Sequence, residues 1–325
     1  MGNVCDCTEE ETSSTVKVGD AMEVNRETST NVLANGDRSL ILEGGVLYTG
    51  QLKDGKREGY GILQRPDNCR YEGEFEDDMA HGNGKLTHPN GDYYEGQWQS
   101  DSAHGHGTFK HQDGSSYEGQ WHKDLQSGYG LEQWMDGSRF EGGYRDGKKN
   151  GEGRFFWAEG STYEGEFKDN DLDGAGTYIW ADGRKYVGQW KKNKVNGSGK
   201  MVWPDRRSYD GQYVDDKKHG RGVFTWPDER QYDGQWSDGK QHGYGKYTNS
   251  NRKVRHGVWE HGQRVRWIDE EQDAEAVEPP SEAEAPGEAP QPQPLEAAAA
   301  AGEAQADAGQ AAKENNAEAK EGTAC

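Results

Sequence analysis

The sequence predicts an all-β fold, an elongated single-layer antiparallel β-meander of about ten 23-residue hairpin repeats between disordered termini. Three observations predict it. A five-residue phrase, YEGQW at residues 94–98, returns every 23 residues without insertion or deletion. A Gly-x-Gly returns at the same interval, as at Gly82/Gly84, Gly105/Gly107 and Gly128/Gly130. Turn dipeptides, Asn90-Gly91, Asp113-Gly114, Asp136-Gly137 and Asp182-Gly183 among them, punctuate the same frame. A fixed period of this length is the signature of a repeat array.

The phrase supplies the first strand of each unit. It begins at Tyr48, Tyr71, Tyr94, Tyr117, Phe140, Tyr163, Tyr186, Tyr209 and Tyr232, and a degenerate RHGVW follows at Arg255. Positions one, three and five share a strand face. That face carries Tyr71 with Gly73, Tyr94 with Gly96 and Trp98, and Tyr117 with Gly119 and Trp121. It continues with Tyr163 and Gly165, Tyr186 with Gly188 and Trp190, and Tyr232 with Gly234 and Trp236. The intervening Glu95 and Gln97 point the other way and are polar.

The second strand follows each Gly-x-Gly and also alternates, with Phe155 and Trp157, Tyr178 and Trp180, Met201 and Trp203, and Phe224 and Trp226 two apart. Large rings can then lie across the bare glycines of the neighbouring strand and bury area within one sheet. A fully buried ring is worth about 2 to 3 kcal/mol, too little for a lone hairpin and enough for a stack. The Asn-Gly and Asp-Gly pairs are expected to form tight two-residue turns with positive φ at both central residues. Two strands per unit give the array a reach of roughly 90 to 100 Å.

Charge divides the chain into three. Residues 1–37 carry eight acids and two bases, residues 269–325 carry fifteen and two, and the array between them is nearly balanced within a total of −21. The expected organisation is a disordered acidic arm over 1–37, the array over 38–268, opening with a half unit that caps its first edge, and a disordered Ala/Glu/Pro-rich tail over 269–325. Cys5, Cys7, Cys69 and Cys325 are too scattered for a disulfide framework or a zinc site, which suits a reducing compartment. No apolar run is long enough to span a membrane.

The first seven residues, MGNVCDC, carry a separate signal. Gly2 suits N-myristoylation, and Cys5 and Cys7 stand where a membrane-held chain is palmitoylated, although Asp6 replaces the Ser or Thr of the full pattern. One myristate binds membranes only marginally, and Glu9, Glu10 and Glu11 oppose an anionic leaflet. The second anchor must therefore be palmitate.

Other chemistries find little support. His81, His104, His219 and His242 occupy one repeat column that elsewhere holds Ser127, Asn150, Asp173 and Asn196, an unsuitable pattern for a metal site. No glycine loop leads into a helix N-terminus to hold phosphate, so no cofactor is expected. A single-layer sheet lacks the water-excluding cavity of an enzyme. Lys191, Lys192, Lys194, Lys217 and Lys218 offer at most weak binding to anionic phospholipid, diluted by Asp215 and Asp216, and the net charge argues against nucleic acid. An aromatic face without a second layer stays partly open, which favours protein partners or self-association.

The unit Y-x-G-x-W, polar loop, H-G-x-G, aromatic strand and D-G resembles the MORN (membrane occupation and recognition nexus) repeat; YDGQWSDGKQHGYG from Tyr232 is a close match. The resemblance spans about 230 of the 325 residues. Thr49, Val187, Arg255, Arg206 and Glu229 depart from the pattern, the last two standing where the turn expects Gly. The resemblance implies a non-catalytic scaffold that binds partner proteins or cytoskeleton near a membrane. Joined to the acylation signal, it places the chain in the cytoplasm on a membrane's cytoplasmic face. Two other roles are implied by related arrays: a soluble ciliary or axonemal component like the radial-spoke head MORN proteins, and a regulatory subunit of a lipid-modifying enzyme such as a phosphatidylinositol-phosphate kinase.

Overall fold

The computed structural model describes residues 31–32 and 37–268. They build one 22-stranded sheet in which each strand pairs antiparallel with its neighbours in sequence. The acylation signal at Gly2, Cys5 and Cys7 and the tail over 269–325 lie outside the described residues, as does most of the N-terminal arm. Within that arm, a short strand Asn31–Val32 pairs with Ser39 and Arg38. The half unit supplies the strand Arg38–Ile41, which pairs with Leu47–Lys53.

Strands of seven residues alternate with strands of nine, as in Tyr93–Gln99 followed by Ser102–Lys110. A bulge explains the difference. Gly96 pairs with Gly107 and Trp98 with Ala103, so Gln97 alone faces residues 104–106. On its other edge the longer strand keeps unbroken register from Gly105 opposite Trp121 to Lys110 opposite Ser116. Gly105 turns through the bulge with φ +63°, and a Cβ there would sit 2.1 Å from the Gln97 Oε1. Glycine suits the left-handed backbone and leaves the Gln97 amide its place.

The bulge also gives the polar second-face position a task. The backbone N–H of His106 donates to Gln97 Oε1 at 2.8 Å, and the hydroxyl of Tyr94 donates to the backbone carbonyl of Gln97 at 2.9 Å. Groups that the ladder leaves unpaired are thereby satisfied. Equivalent tyrosine bonds recur at Tyr71, Tyr163 and Tyr232. The Tyr94 ring lies against Gly107, where a Cβ would come within 2.3 Å of its hydroxyl.

The core is a line of rings. From Tyr48 to Trp259, each first-strand ring meets the next edge to face, with centroids 4.8 to 5.7 Å apart and planes at 73 to 90°. Trp98 shows the rule, touching Tyr94 of its own unit at 5.0 Å and Tyr71 of the preceding one at 5.3 Å. Its indole N–H donates to the Gly84 carbonyl at 3.0 Å. Every unit therefore completes the burial of its predecessor, and tyrosines such as Tyr94 and Tyr186 reach 0% exposure in a sheet with no second layer.

The two kinds of turn are exchanged relative to the sequence expectation. The two-residue turns with positive φ at both positions join each short strand to the following long one, at Asp77 (φ 49°) and Asp78 (φ 71°) or Lys192 (φ 48°) and Asn193 (φ 63°). At Asn90-Gly91 only Gly91 is left-handed, with φ +93°, and the Gly91 N–H donates to the His88 carbonyl at 2.9 Å. That geometry is a three-residue hairpin loop, whose single left-handed residue suffices for Gly after Asn or Asp.

Stacked turns link the units. The Asp101 carboxylate accepts from the Ala80 N–H at 2.7 Å while the Asp101 N–H donates to the Ala80 carbonyl at 3.0 Å. Asp124 and Asp216 repeat the carboxylate bond with Ala103 and Val195, and the Asn193 amide oxygen accepts in the same way from the Leu172 N–H. A carbonyl oxygen serves as well as a carboxylate here, which is why both Asp and Asn stand in the column.

Candidate binding surface

The longer loops carry a second row of rings over the first. Trp134, Trp157, Trp180, Trp203 and Trp226 occupy one repeat column, and all are half-buried, packed on the core with an edge left to solvent. In the earlier units the column holds Arg65, His88 and His111. Trp157 follows the strand Lys148–Phe156 and bridges Phe155 at 4.4 Å and Tyr178 at 5.0 Å. Buried serines brace these loops: the Ser138 hydroxyl accepts from the Ala158 N–H and that of Ser161 from Ala181, both at 3.1 Å. The surface is thus formed before any partner arrives.

Three of the tryptophans carry an arginine. The guanidinium carbons of Arg184, Arg207 and Arg230 lie 4.9, 5.6 and 5.6 Å over Trp180, Trp203 and Trp226. Asp182, Asp205 and Asp228 hold them at 2.7, 2.7 and 2.6 Å. Aromatic rings capped by arginine are the composition of interface hot spots. The opposite face carries cross-strand ion pairs, Lys85 with Glu95 at 2.9 Å and Arg154 with Glu164 at 3.0 Å. Such exposed pairs contribute about 0 to 1 kcal/mol each.

The residues singled out in the repeat phrase lie in the line of core rings and against it. Tyr71, Tyr94, Tyr117, Tyr163, Tyr186 and Tyr232 are buried with Trp98, Trp121, Trp190 and Trp236. Gly73, Gly96, Gly119, Gly165, Gly188 and Gly234 each face a paired glycine across the strand boundary. The five grouped lysines do not converge: Lys194 pairs with Asp215 at 3.4 Å, Lys217 with Asp238 at 3.3 Å, and Lys218 turns toward the rings. Among the described residues no group of three or more His, Cys, Asp or Glu is placed to hold a metal. Cys69 is free and buried, and burial pushes its thiol up. No helix among the described residues is long and apolar enough to cross a membrane.

Two features were not read from the sequence. Lys149 lies 4.8 Å from the Trp134 ring centroid and pairs with Glu132 at 2.9 Å, and the Tyr144 hydroxyl donates to that carboxylate at 2.7 Å. The Trp–Arg stacks were the other. Both depend on residues aligned by the 23-residue frame, so comparing columns was the available signal.

A continuous sheet in which every unit finishes the core of the one before it defines a hairpin-repeat protein. Nine successive segments, residues 48–70, 71–93, 94–116, 117–139, 140–162, 163–183, 186–206, 209–229 and 232–253, match the MORN repeat, and the chain belongs to that family. The family's array is a non-catalytic protein–protein interaction module. Among solved structures, the TCP10 domain of Danio rerio CPAP is 13% identical with TM-score 0.27, covering 70% of this chain and 96% of its own. The SAS-4 TCP domain of Drosophila melanogaster, solved with a proline-rich motif of Ana2, is 11% identical with TM-score 0.27, covering 59% and 93%. Likeness at that level carries no functional argument. No curated protein matches the chain.

Proposed function

We propose that the chain is a scaffold whose MORN array holds partner proteins or cytoskeleton beside a membrane, anchored by myristate on Gly2 and palmitate on Cys5 or Cys7. The observation that carries the binding half is the column of half-buried tryptophans from Trp134 to Trp226 on braced loops. It offers repeated, preorganised aromatic anchors, which lowers the ordering cost of association. The tether rests on the sequence MGNVCDC alone. It places the array on the cytoplasmic face of the membrane that receives the acyl groups.

The test separates the two halves. Full-length wild type, Gly2→Ala and the double variant Trp157→Ala/Trp180→Ala are expressed with a C-terminal tag and a myristate analogue. Cells are then fractionated into membrane, detergent-insoluble cytoskeletal and soluble pools. Gly2→Ala is expected to lose label and leave the membrane pool. The double variant is expected to keep label and membrane while its cytoskeletal share falls. An unlabelled wild type overturns the tether, and an unchanged cytoskeletal share in a folded double variant overturns the binding surface.

A further inference from the structure

Lys218 stands apart from the other lysines of the array. It lies on the strand Lys217–Thr225 opposite Tyr213. Its Nζ is 4.5 Å from the centroid of Phe224, 4.9 Å from Trp236, 5.3 Å from Tyr209 and 5.5 Å from Trp203. The residue as a whole is half-buried.

Lys149 is its counterpart three units earlier, opposite Tyr144 in the same register. There Glu132 supplies a carboxylate to both the ammonium and the tyrosine hydroxyl. In the unit of Lys218 the Glu132 position is held by Met201, buried and apolar. The consequence is visible twice. No carboxylate lies within ion-pair distance of Lys218 among the described residues, and the buried Tyr213 hydroxyl has no hydrogen-bond acceptor.

Every element packed against the amine adds to this. The strand Ser208–Val214 brings Tyr209 and Tyr213, whose hydroxyls burial keeps neutral. Lys194–Val202 brings Met201, Gln231–Ser237 brings Trp236, and the loop brings Arg207, a charge of the same sign. Ring faces attract a cation but accept few of its N–H bonds. Desolvation, with Arg207 behind it, draws the amine down to about 8.

We propose that Lys218, ringed by aromatic side chains and lacking the carboxylate partner of Lys149, is an acylation site whose amine accepts an acyl group from an acyl thioester. The nitrogen lone pair attacks the thioester carbonyl carbon, the C–N bond forms and the C–S bond breaks. The thiolate leaves and takes up the proton that the nitrogen sheds, giving an amide and a free thiol with no change of oxidation state. The amide is uncharged, so the ring enclosure no longer desolvates a cation.

The test uses the full chain with N,S-diacetylcysteamine, a small acetyl thioester, at neutral pH, and follows initial acetylation at each lysine by mass spectrometry. Lys218 is expected to react about tenfold faster than Lys149, with a rate that rises to a plateau above its lowered pKa. Equal rates at the two positions overturn the proposal. Met201→Glu restores the carboxylate that Lys149 enjoys and is expected to slow Lys218 about tenfold while Lys149 is unchanged. An unchanged Lys218 rate in a Met201→Glu chain that keeps its near-UV circular dichroism overturns it as well. If that variant unfolds, the Lys149 comparison in the wild type decides alone.

Discussion

The hydroxyl of Tyr94 donates to the backbone carbonyl of Gln97 at 2.9 Å, across the bulge that makes every second strand longer than its partner. The bond joins the two roles of the repeat phrase. Its ring lies on Gly107 to build the core, and its oxygen closes the gap that the bulge opens in the ladder.

Tyr94→Phe therefore keeps the ring and deletes only the bond. A loss of about 1 kcal/mol is expected, the usual net worth of one such bond, measured as a lower urea midpoint. Phe140 already stands in the same column without a hydroxyl, so the substitution leaves the fold intact.

Asp101 binds the preceding unit through the Ala80 N–H, and burial pushes its carboxyl above the usual range. Asp101→Asn retains the acceptor, as Asn193 does naturally, and is expected to change stability by less than about 0.5 kcal/mol. Asp101→Ala leaves a buried N–H unsatisfied and is expected to cost about 1 to 3 kcal/mol. Thermal denaturation of the two variants side by side checks the difference.

Arg206 and Glu229 hold left-handed backbone, with φ +70° and +66°, where other loops place glycine. A side chain in that conformation costs about 1 to 2 kcal/mol. Glu229→Gly is expected to recover about 1 kcal/mol of it, less the entropy that glycine adds to the unfolded chain. Urea titration of the single variants measures the gain, and Arg206→Gly should behave alike.

Period, strand faces and rings on glycines followed from residues such as Tyr94, Gly96 and Trp98, because side-chain alternation and the missing Cβ are local properties. Turn type did not follow, since Asp77 with Asp78 and Asn90 with Gly91 are both turn-forming pairs and only strand register distinguishes them. Gln97 read only as a polar residue on the other face, because a bulge leaves no mark on a single strand. The tryptophan column was visible as letters, but its half-burial depends on how each loop rests on the next.

Lys218 gives the stability a pH dependence of definite sign. Its amine is drawn down to about 8, below the unfolded value, so the unfolded chain binds more protons above that pH. Stability therefore rises with pH, by an amount on the order of 1 to 2 kcal/mol between about pH 8 and 9.5. Buried tyrosines act the other way: Tyr48 is pushed up to about 12, so stability falls once unfolded tyrosines begin to ionise. Urea midpoints across this range are expected to rise and then fall in the wild type. The rising limb should vanish in Lys218→Met.

The most direct measurement of the binding surface is site-specific photocrosslinking in cells. A benzophenone amino acid is placed at Trp180 on the ring face and, in a second chain, at Glu95 on the ion-paired face. Discrete crosslinked partner bands are expected from position 180 and none from position 95. Bands from position 95 with none from position 180 would contradict it, because partner binding would then belong to the charged face and the tryptophan column would serve stability alone.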